Sequence, residues 1–196
     1  MSKTAEFYFD FGSPATYLAW TQLPKLASST GARIEQKPML LGGVFQATGN
    51  SPPISVPLKG KYVFTDFGRF AKRYGVPLNL NPAFPINTIT TMRIACGLKM
   101  RSDPRFDAYC AAIYQAFWVD GLNVADAQIL TSVLTLAGMD AAELLALAAD
   151  PQVKEQLKLD TQAAADRGVF GAPTFFVGEQ MFFGQDRMDF IREALT

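Results

Sequence analysis

Strand-like sequence stands at both ends of this chain and is absent between them, and that arrangement limits the available folds more than any other feature. Glu6-Phe7-Tyr8-Phe9-Asp10 is a short aromatic run of strand character. Phe11-Gly12 reads as a turn. Ser13-Pro14 reads as a helix start, with Ser at the N-cap and Pro at the first helical position. Tyr17, Leu18, Leu23 and Leu26 then mark a helical stripe, and residues 33–37 read as a second strand. A β-α-β unit of this kind implies parallel strands joined by a right-handed crossover. At the far end, Thr174-Phe175-Phe176-Val177 and Gln180-Met181-Phe182-Phe183 flank Gly178-Glu179 as a hairpin, and residues 187–195 close with a helix.

The middle reads differently. Residues 42–57 are rich in Gly, Pro, Ser and Asn and read as a long loop. Residues 62–74 read as a helix and 75–87 again as loop. Five helix-like stretches follow, over 88–101, 105–118, 125–137, 141–149 and 152–167. The expected architecture is α/β, interrupted by an all-α helical insertion. Residues 1–41 and 168–196 would form the α/β part, with helix 152–167 packed on it. Residues 42–151 would form the insertion, sharing one core with it. With 196 residues, 49% of them hydrophobic, such a core is within reach.

Composition removes several functions. Eighteen Lys and Arg balance 18 Asp and Glu, so no long-range field draws the chain to nucleic acid or to an anionic membrane. A small ligand fits better. The chain has no histidine. A Ser-His-Asp triad, a Cys-His pair and any histidine-ligated metal site are therefore excluded, and no metal is expected. Cys96 and Cys110 are too far apart for a C-x-x-C pair and read as buried small hydrophobes. The start of the chain lacks the basic and then apolar pattern of a signal peptide, and no apolar run reaches membrane-spanning length, so a cytoplasmic location is expected.

Four segments could carry chemistry, and each has a plainer reading. Ser13-Pro14 puts a hydroxyl at a helix N-terminus, where unpaired N–H groups and the positive end of the dipole stabilise an anion such as a thiolate. An N-cap alone would explain the same residues. Gly168-Val169-Phe170-Gly171-Ala172-Pro173-Thr174 enters a strand through Pro, as any loop–strand boundary can. Gln185 and Asp186, just before the last helix, could cap it or face a ligand amine. Thr48-Gly49-Asn50, with Lys59 nine residues on, could hold a carboxylate or be a solvated loop.

The order of these segments resembles one family. Phe9-Asp10-Phe11-Gly12-Ser13-Pro14 with Tyr17-Leu18-Ala19 is similar to the opening of kappa-class glutathione transferases and 2-hydroxychromene-2-carboxylate isomerases. So are Leu40-Leu41-Gly42-Gly43, Thr48-Gly49-Asn50, Pro52-Pro53, Gly171-Ala172-Pro173-Thr174 and Gly184-Gln185-Asp186-Arg187-Met188. The resemblance spans nearly the whole chain and implies a thioredoxin-like domain with a helical insertion, usually a homodimer. In the related bacterial disulfide oxidases, Cys-Pro-x-Cys occupies the place held here by Ser13-Pro14-Ala15-Thr16. Dithiol chemistry is thus unavailable, and the resemblance implies glutathione as the thiol.

It also implies roles. Ser13 would hydrogen-bond the glutathione sulfur and lower its pKa. Ala172, before a Pro173 expected to be cis, would pair through its backbone with the cysteinyl part. Asn50 and Lys59 would hold the glycyl end. Gln185 and Asp186 would hold the γ-glutamyl group, Gln185 standing where Ser or Asn is more usual. Phe11, Phe45, Phe84 and Trp118 are candidates for an apolar co-substrate pocket, with ordinary core packing as the competing account. The expected activity is glutathione-dependent interconversion of 2-hydroxychromene-2-carboxylate and trans-o-hydroxybenzylidenepyruvate, in aromatic degradation. The alternatives are a kappa-class transferase acting on small electrophiles and a thioredoxin-fold binding protein without catalysis.

Overall fold

The computed structural model describes residues 3–196. Strand β1 (Thr4–Phe9) lies beside β2 (Arg33–Pro38) and β3 (Thr174–Val177), and β4 (Gln180–Phe183) completes a four-stranded sheet of order β2-β1-β3-β4. β1 and β2 are parallel, with Thr4 opposite Arg33 and Phe9 opposite Pro38. β3 runs antiparallel to β1 and to β4. The first strand pair is parallel because α1 (Pro14–Thr30) carries the chain back across the sheet.

Alternation along β1 splits its side chains between two layers. Ala5, Phe7 and Phe9 join Phe175 and Val177 on one face, in the main core with Leu18 and Leu23 of α1 and Ile191 of α9 (Met188–Leu195). Tyr8 and Phe176 point the other way, to a smaller cluster with Met39, Val44, Ala164, Val169 and Ala172. The main core continues without interruption into the helices between the strands. Residues of α4 (Ile89–Met100), α5 (Phe106–Trp118), α6 (Ala127–Leu136), α7 (Ala141–Ala149) and α8 (Pro151–Asp166) belong to the same buried cluster as the sheet. The architecture is α/β with a helical insertion, as expected. Asp150 ends α7 and caps α8 through its carboxylate on the Gln152 N–H at 2.9 Å, which is why two helices follow with no loop between them.

One expectation fails. Part of the stretch read as a loop over 42–57 is a helix, α2 (Leu41–Thr48), followed by a single 3-10 turn (Pro53–Ser55). Glycines misdirected the reading, since Gly42-Gly43 suggests flexibility. In the structure Gly43 serves close approach instead. A Cβ there would lie 2.8 Å from Thr161 Cγ2, so the glycine lets α2 sit against α8. Thr161 also accepts the Leu40 N–H at 3.0 Å. The helix after it, α3 (Pro57–Tyr74), starts five residues before the expected Tyr62, with Pro57 in the first turn where its missing N–H costs nothing.

Candidate functional site

Ser13 ends the β1–α1 turn and caps α1. Its Oγ accepts the Thr16 N–H at 3.2 Å, and its hydroxyl donates to the Ala172 carbonyl at 3.0 Å. The side chain is buried but faces the loop before β3, so one short bond ties the helix N-terminus to a segment 159 residues away. The Ala172–Pro173 peptide is cis. The Pro173 carbonyl accepts the Gly184 N–H at 3.0 Å. That contact brings the Gln185–Arg187 3-10 turn beside the same loop.

Gly184 is required twice over. Its φ of 108° is unfavourable for any residue with a Cβ, and a Cβ there would lie 2.6 Å from Asp186 Oδ1. Asp186 is exposed and pairs with Arg187 at 3.2 Å. Gln185 is buried, and its carbonyl accepts the Tyr74 hydroxyl at 2.7 Å. Burial first, then the Asp186 carboxylate, pushes the Tyr74 phenol above its ordinary range. On the other side of the loop, Asn50 donates through Nδ2 to the Phe170 carbonyl at 2.7 Å.

The 170–173 segment therefore gathers most of the residues singled out in the sequence. Ser13, Asn50, Ala172, Pro173, Gln185 and Asp186 lie along it, each joined to it directly or through Gly184. Lys59 does not join them. It is exposed in the first turn of α3, and among the described residues its side chain makes no hydrogen bond or ion pair. The four aromatic candidates divide. Phe11 and Trp118 are 0% exposed and belong to the core, where the Trp118 Nε1–H donates to the Phe11 carbonyl at 2.8 Å. Phe11 is sealed by edge-on packing against Phe9, Tyr109 and Tyr114, and Trp118 stacks on Phe117 at 4.5 Å between centroids. Phe45 and Phe84 are half-buried and present part of their rings to solvent.

Neither cysteine offers a thiolate at neutral pH. Burial, then the Asp160 carboxylate, pushes Cys96 up to about 12, and burial pushes Cys110 well above its ordinary range. Any thiol chemistry at Ser13 needs a thiol from outside. Among the described residues the Ala172 N–H makes no hydrogen bond, while the Ala172 carbonyl accepts the Ser13 hydroxyl. A cavity of about 330 Å³ lies elsewhere, between β2, α4 and α8, lined by residues including Lys37, Cys96, Lys99 and Asp160. It holds none of the residues around Ser13.

Two residues of the site escaped sequence reasoning, Asp10 and Thr88. Asp10 is buried at the end of β1, and Thr88 donates to its carboxylate at 2.8 Å. An acidic residue closing an aromatic strand, two positions before a turn glycine, was the available signal for Asp10. No local signal marked Thr88, which meets Asp10 across 78 residues.

Comparison with known proteins identifies the family. The model of the DSBA-like thioredoxin domain matches residues 4–196. A 2-hydroxychromene-2-carboxylate isomerase of Sphingobium xenophagum is 36% identical over 197 residues, covering 100% of this chain and 99% of the relative. The human glutathione S-transferase kappa 1 is 26% identical, covering 100% of this chain and 92% of the relative. A solved 2-hydroxychromene-2-carboxylate isomerase superposes with a TM-score of 0.83 at 30% identity, over 98% of this chain and 94% of that one. With a matching domain model, full-length relatives and a sheet interrupted by helices, the chain belongs to the DSBA-like thioredoxin family, in the branch that holds the 2-hydroxychromene-2-carboxylate isomerases and the kappa-class glutathione transferases.

Proposed function

We propose that this protein is a glutathione-dependent isomerase that interconverts 2-hydroxychromene-2-carboxylate and trans-o-hydroxybenzylidenepyruvate. The observation that carries the proposal is the Ser13 hydroxyl at the N-terminus of α1, 3.0 Å from the Ala172 carbonyl, in a chain with no cysteine at position 13 or 16. When bound, glutathione would supply a thiolate that can add reversibly to the conjugated carbon of the open-chain enone, so that the former double bond can rotate before the thiolate leaves, and in the cis form the phenol oxygen can close on the keto carbon to give the cyclic hemiketal. Ser13 turns its O–H from the Ala172 carbonyl toward that sulfur, and the helix N-terminus adds its dipole. Ala172 pairs with the cysteinyl backbone, as a strand adds to a sheet edge. Asn50 holds the glycyl end and Gln185 and Asp186 the γ-glutamyl end of the tripeptide, with the exposed Lys59 side chain extending from α3 toward the glycyl carboxylate. No basic side chain stands next to Ser13 in the sequence and the chain has no histidine, so Ser13 acts as a hydrogen-bond donor and not as a nucleophile.

Glutathione is therefore required but not consumed. Following 2-hydroxychromene-2-carboxylate by absorbance with and without catalytic glutathione tests this, with the thiol assayed afterwards. Equal rates in both samples reject the reading. Stoichiometric loss of thiol with a conjugate formed establishes the kappa-class transferase reading instead, which the full-length match to kappa-class relatives supports.

Asp186→Ala gives a second expected result. The Asp186–Arg187 pair is largely exposed, so its own contribution to stability is small. The variant should keep the parental melting temperature and bind glutathione about tenfold more weakly, through loss of a charge-assisted hydrogen bond to the γ-glutamyl ammonium. A thermal melt reads the first value and calorimetric titration the second. Unchanged affinity removes Asp186 from the site.

A further inference from the structure

One buried carboxylate sits where three helix N-termini meet. Asp10 is 2% exposed. Its Oδ1 accepts the Gly12 N–H and the Thr88 hydroxyl, each at 2.8 Å, and its Oδ2 accepts the Leu41 N–H at 2.8 Å. These donors belong to different parts of the chain. Gly12 precedes α1 by two residues, Leu41 is the first residue of α2, and Thr88 is the N-cap of α4. Neither Thr88 nor Leu40, the N-cap of α2, caps its helix through its own side chain.

Among the described residues Asp10 forms no ion pair. Three hydrogen bonds and the positive ends of the helices compensate the carboxylate in place of a cation. Burial pushes its carboxyl above the ordinary range, and the bonds from Gly12, Leu41 and Thr88 oppose that shift. The backbone of Asp10 serves the same turn, since its carbonyl accepts the Ser13 N–H at 3.2 Å. There is little slack around it. A Cβ on Gly12 would lie 3.3 Å from Thr88 Cγ2 and 3.4 Å from Asp10 Oδ1.

We infer that Asp10 is the positioning residue of the thiol site, fixing the Ser13 turn against α2 and α4 at once. Three candidate site residues are tied in sequence to those two helices. α2 carries Phe45 and leads directly to Asn50, while α4 begins five residues after Phe84. With Asp10 bound to all three donors, the Ser13 turn and the starts of α2 and α4 share one fixed frame. The inference rests on Ser13 facing the sulfur, as proposed above.

Two substitutions separate this role from general packing. Asp10→Asn keeps the shape but replaces one acceptor oxygen by an amide. With the remaining oxygen on Gly12 and Thr88, that amide meets the Leu41 N–H, donor against donor. Thr88→Val removes one donor and keeps the outline, while Thr88→Ser keeps the hydroxyl. Amide hydrogen exchange on the protein without glutathione reads the frame directly, and calorimetry with glutathione reads its consequence. Asp10→Asn and Thr88→Val should speed exchange at Gly12, Ser13 and Leu41 and weaken glutathione binding by about tenfold, the loss typical of a hydrogen bond to a charged group. Exchange in β1 and β3 should stay parental, and Thr88→Ser should restore both measurements.

Parental exchange at Leu41 and Gly12 in a folded Asp10→Asn or Thr88→Val protein overturns the inference. If Asp10→Asn does not fold, Thr88→Val against Thr88→Ser decides it. Tight glutathione binding by the parent together with unchanged binding by both variants also overturns it and leaves the proposed function standing. A parent that binds no glutathione removes the proposed function, and the exchange measurement still decides whether Asp10 holds the turn.

Discussion

Replacing Ser13 by Ala should slow turnover about 10- to 100-fold at neutral pH while leaving glutathione bound, because a hydrogen bond to a charged group is worth about 1.5–3 kcal/mol. The effect falls on the sulfur. Without the hydroxyl, the bound thiol loses a donor that favours its anion, so its pKa rises by about 1–2 units and less thiolate is present at a given pH. The rate should recover as pH rises through the new pKa, and an ultraviolet titration of the complex for thiolate reads the shift. Stability also changes. Ser13 Oγ accepts the Thr16 N–H at the start of α1 and donates to Ala172, so the variant loses an N-cap worth about 1 kcal/mol and leaves a buried carbonyl without that donor. A melting point lower by about 2–4 °C per kcal/mol is the expected signature for a chain of this size. A parental pH–rate profile at reduced melting temperature would mean that Ser13 only caps the helix.

Phe11→Ala should produce the larger loss of stability, about 3–5 kcal/mol, with a melting temperature lower by roughly 10 °C. The ring is 0% exposed and packs edge-on against Tyr114 at 4.9 Å, Phe9 at 5.4 Å and Tyr109 at 6.0 Å between centroids. Its removal opens a void that three stiff aromatic neighbours close poorly. A loss of that size is a large share of a typical domain's total of about 5–15 kcal/mol. Phe45→Ala is the useful comparison, since that ring is half-buried on α2 and costs less to truncate. Thermal unfolding of the two variants separates core from pocket. A Phe11→Ala protein that melted with the parent but discriminated poorly among aromatic substrates would return Phe11 to the substrate pocket.

These contrasting phenylalanines show where sequence reasoning stops. The alternation in β1, the Ser-Pro helix start and the hairpin near the end are local patterns, each controlled by residues within a few positions. They were legible, and they located β1, α1, β2, β3, β4 and α9 to within a few residues. The helix α2 was not legible, because the Gly42-Gly43 pair that suggests a loop is there to admit Thr161 from α8. The same limit applied to the aromatic candidates. Phe11, Phe45, Phe84 and Trp118 look alike as residues, and only the packing of α5 against β1 and its turn seals two of them.

The candidate site divides in the same way. Ser13, Asn50, Ala172, Pro173, Gln185 and Asp186 were marked by motif, the absence of histidine and of a cysteine at position 13 excluded triads and dithiols, and only the family resemblance implied an external thiol. What joins them is long-range. The Ser13–Ala172 bond spans 159 residues, the Asn50–Phe170 bond 120 and the Asp10–Thr88 bond 78. By itself, the sequence determined which chemical groups this protein has and the local turns that present them. The tertiary structure decided which of those groups meet, and that Asp10 lies among them. Hydrogen bonds and ring contacts act over a few ångströms, and only the folded sheet and its helices bring residues so distant in the chain within that range.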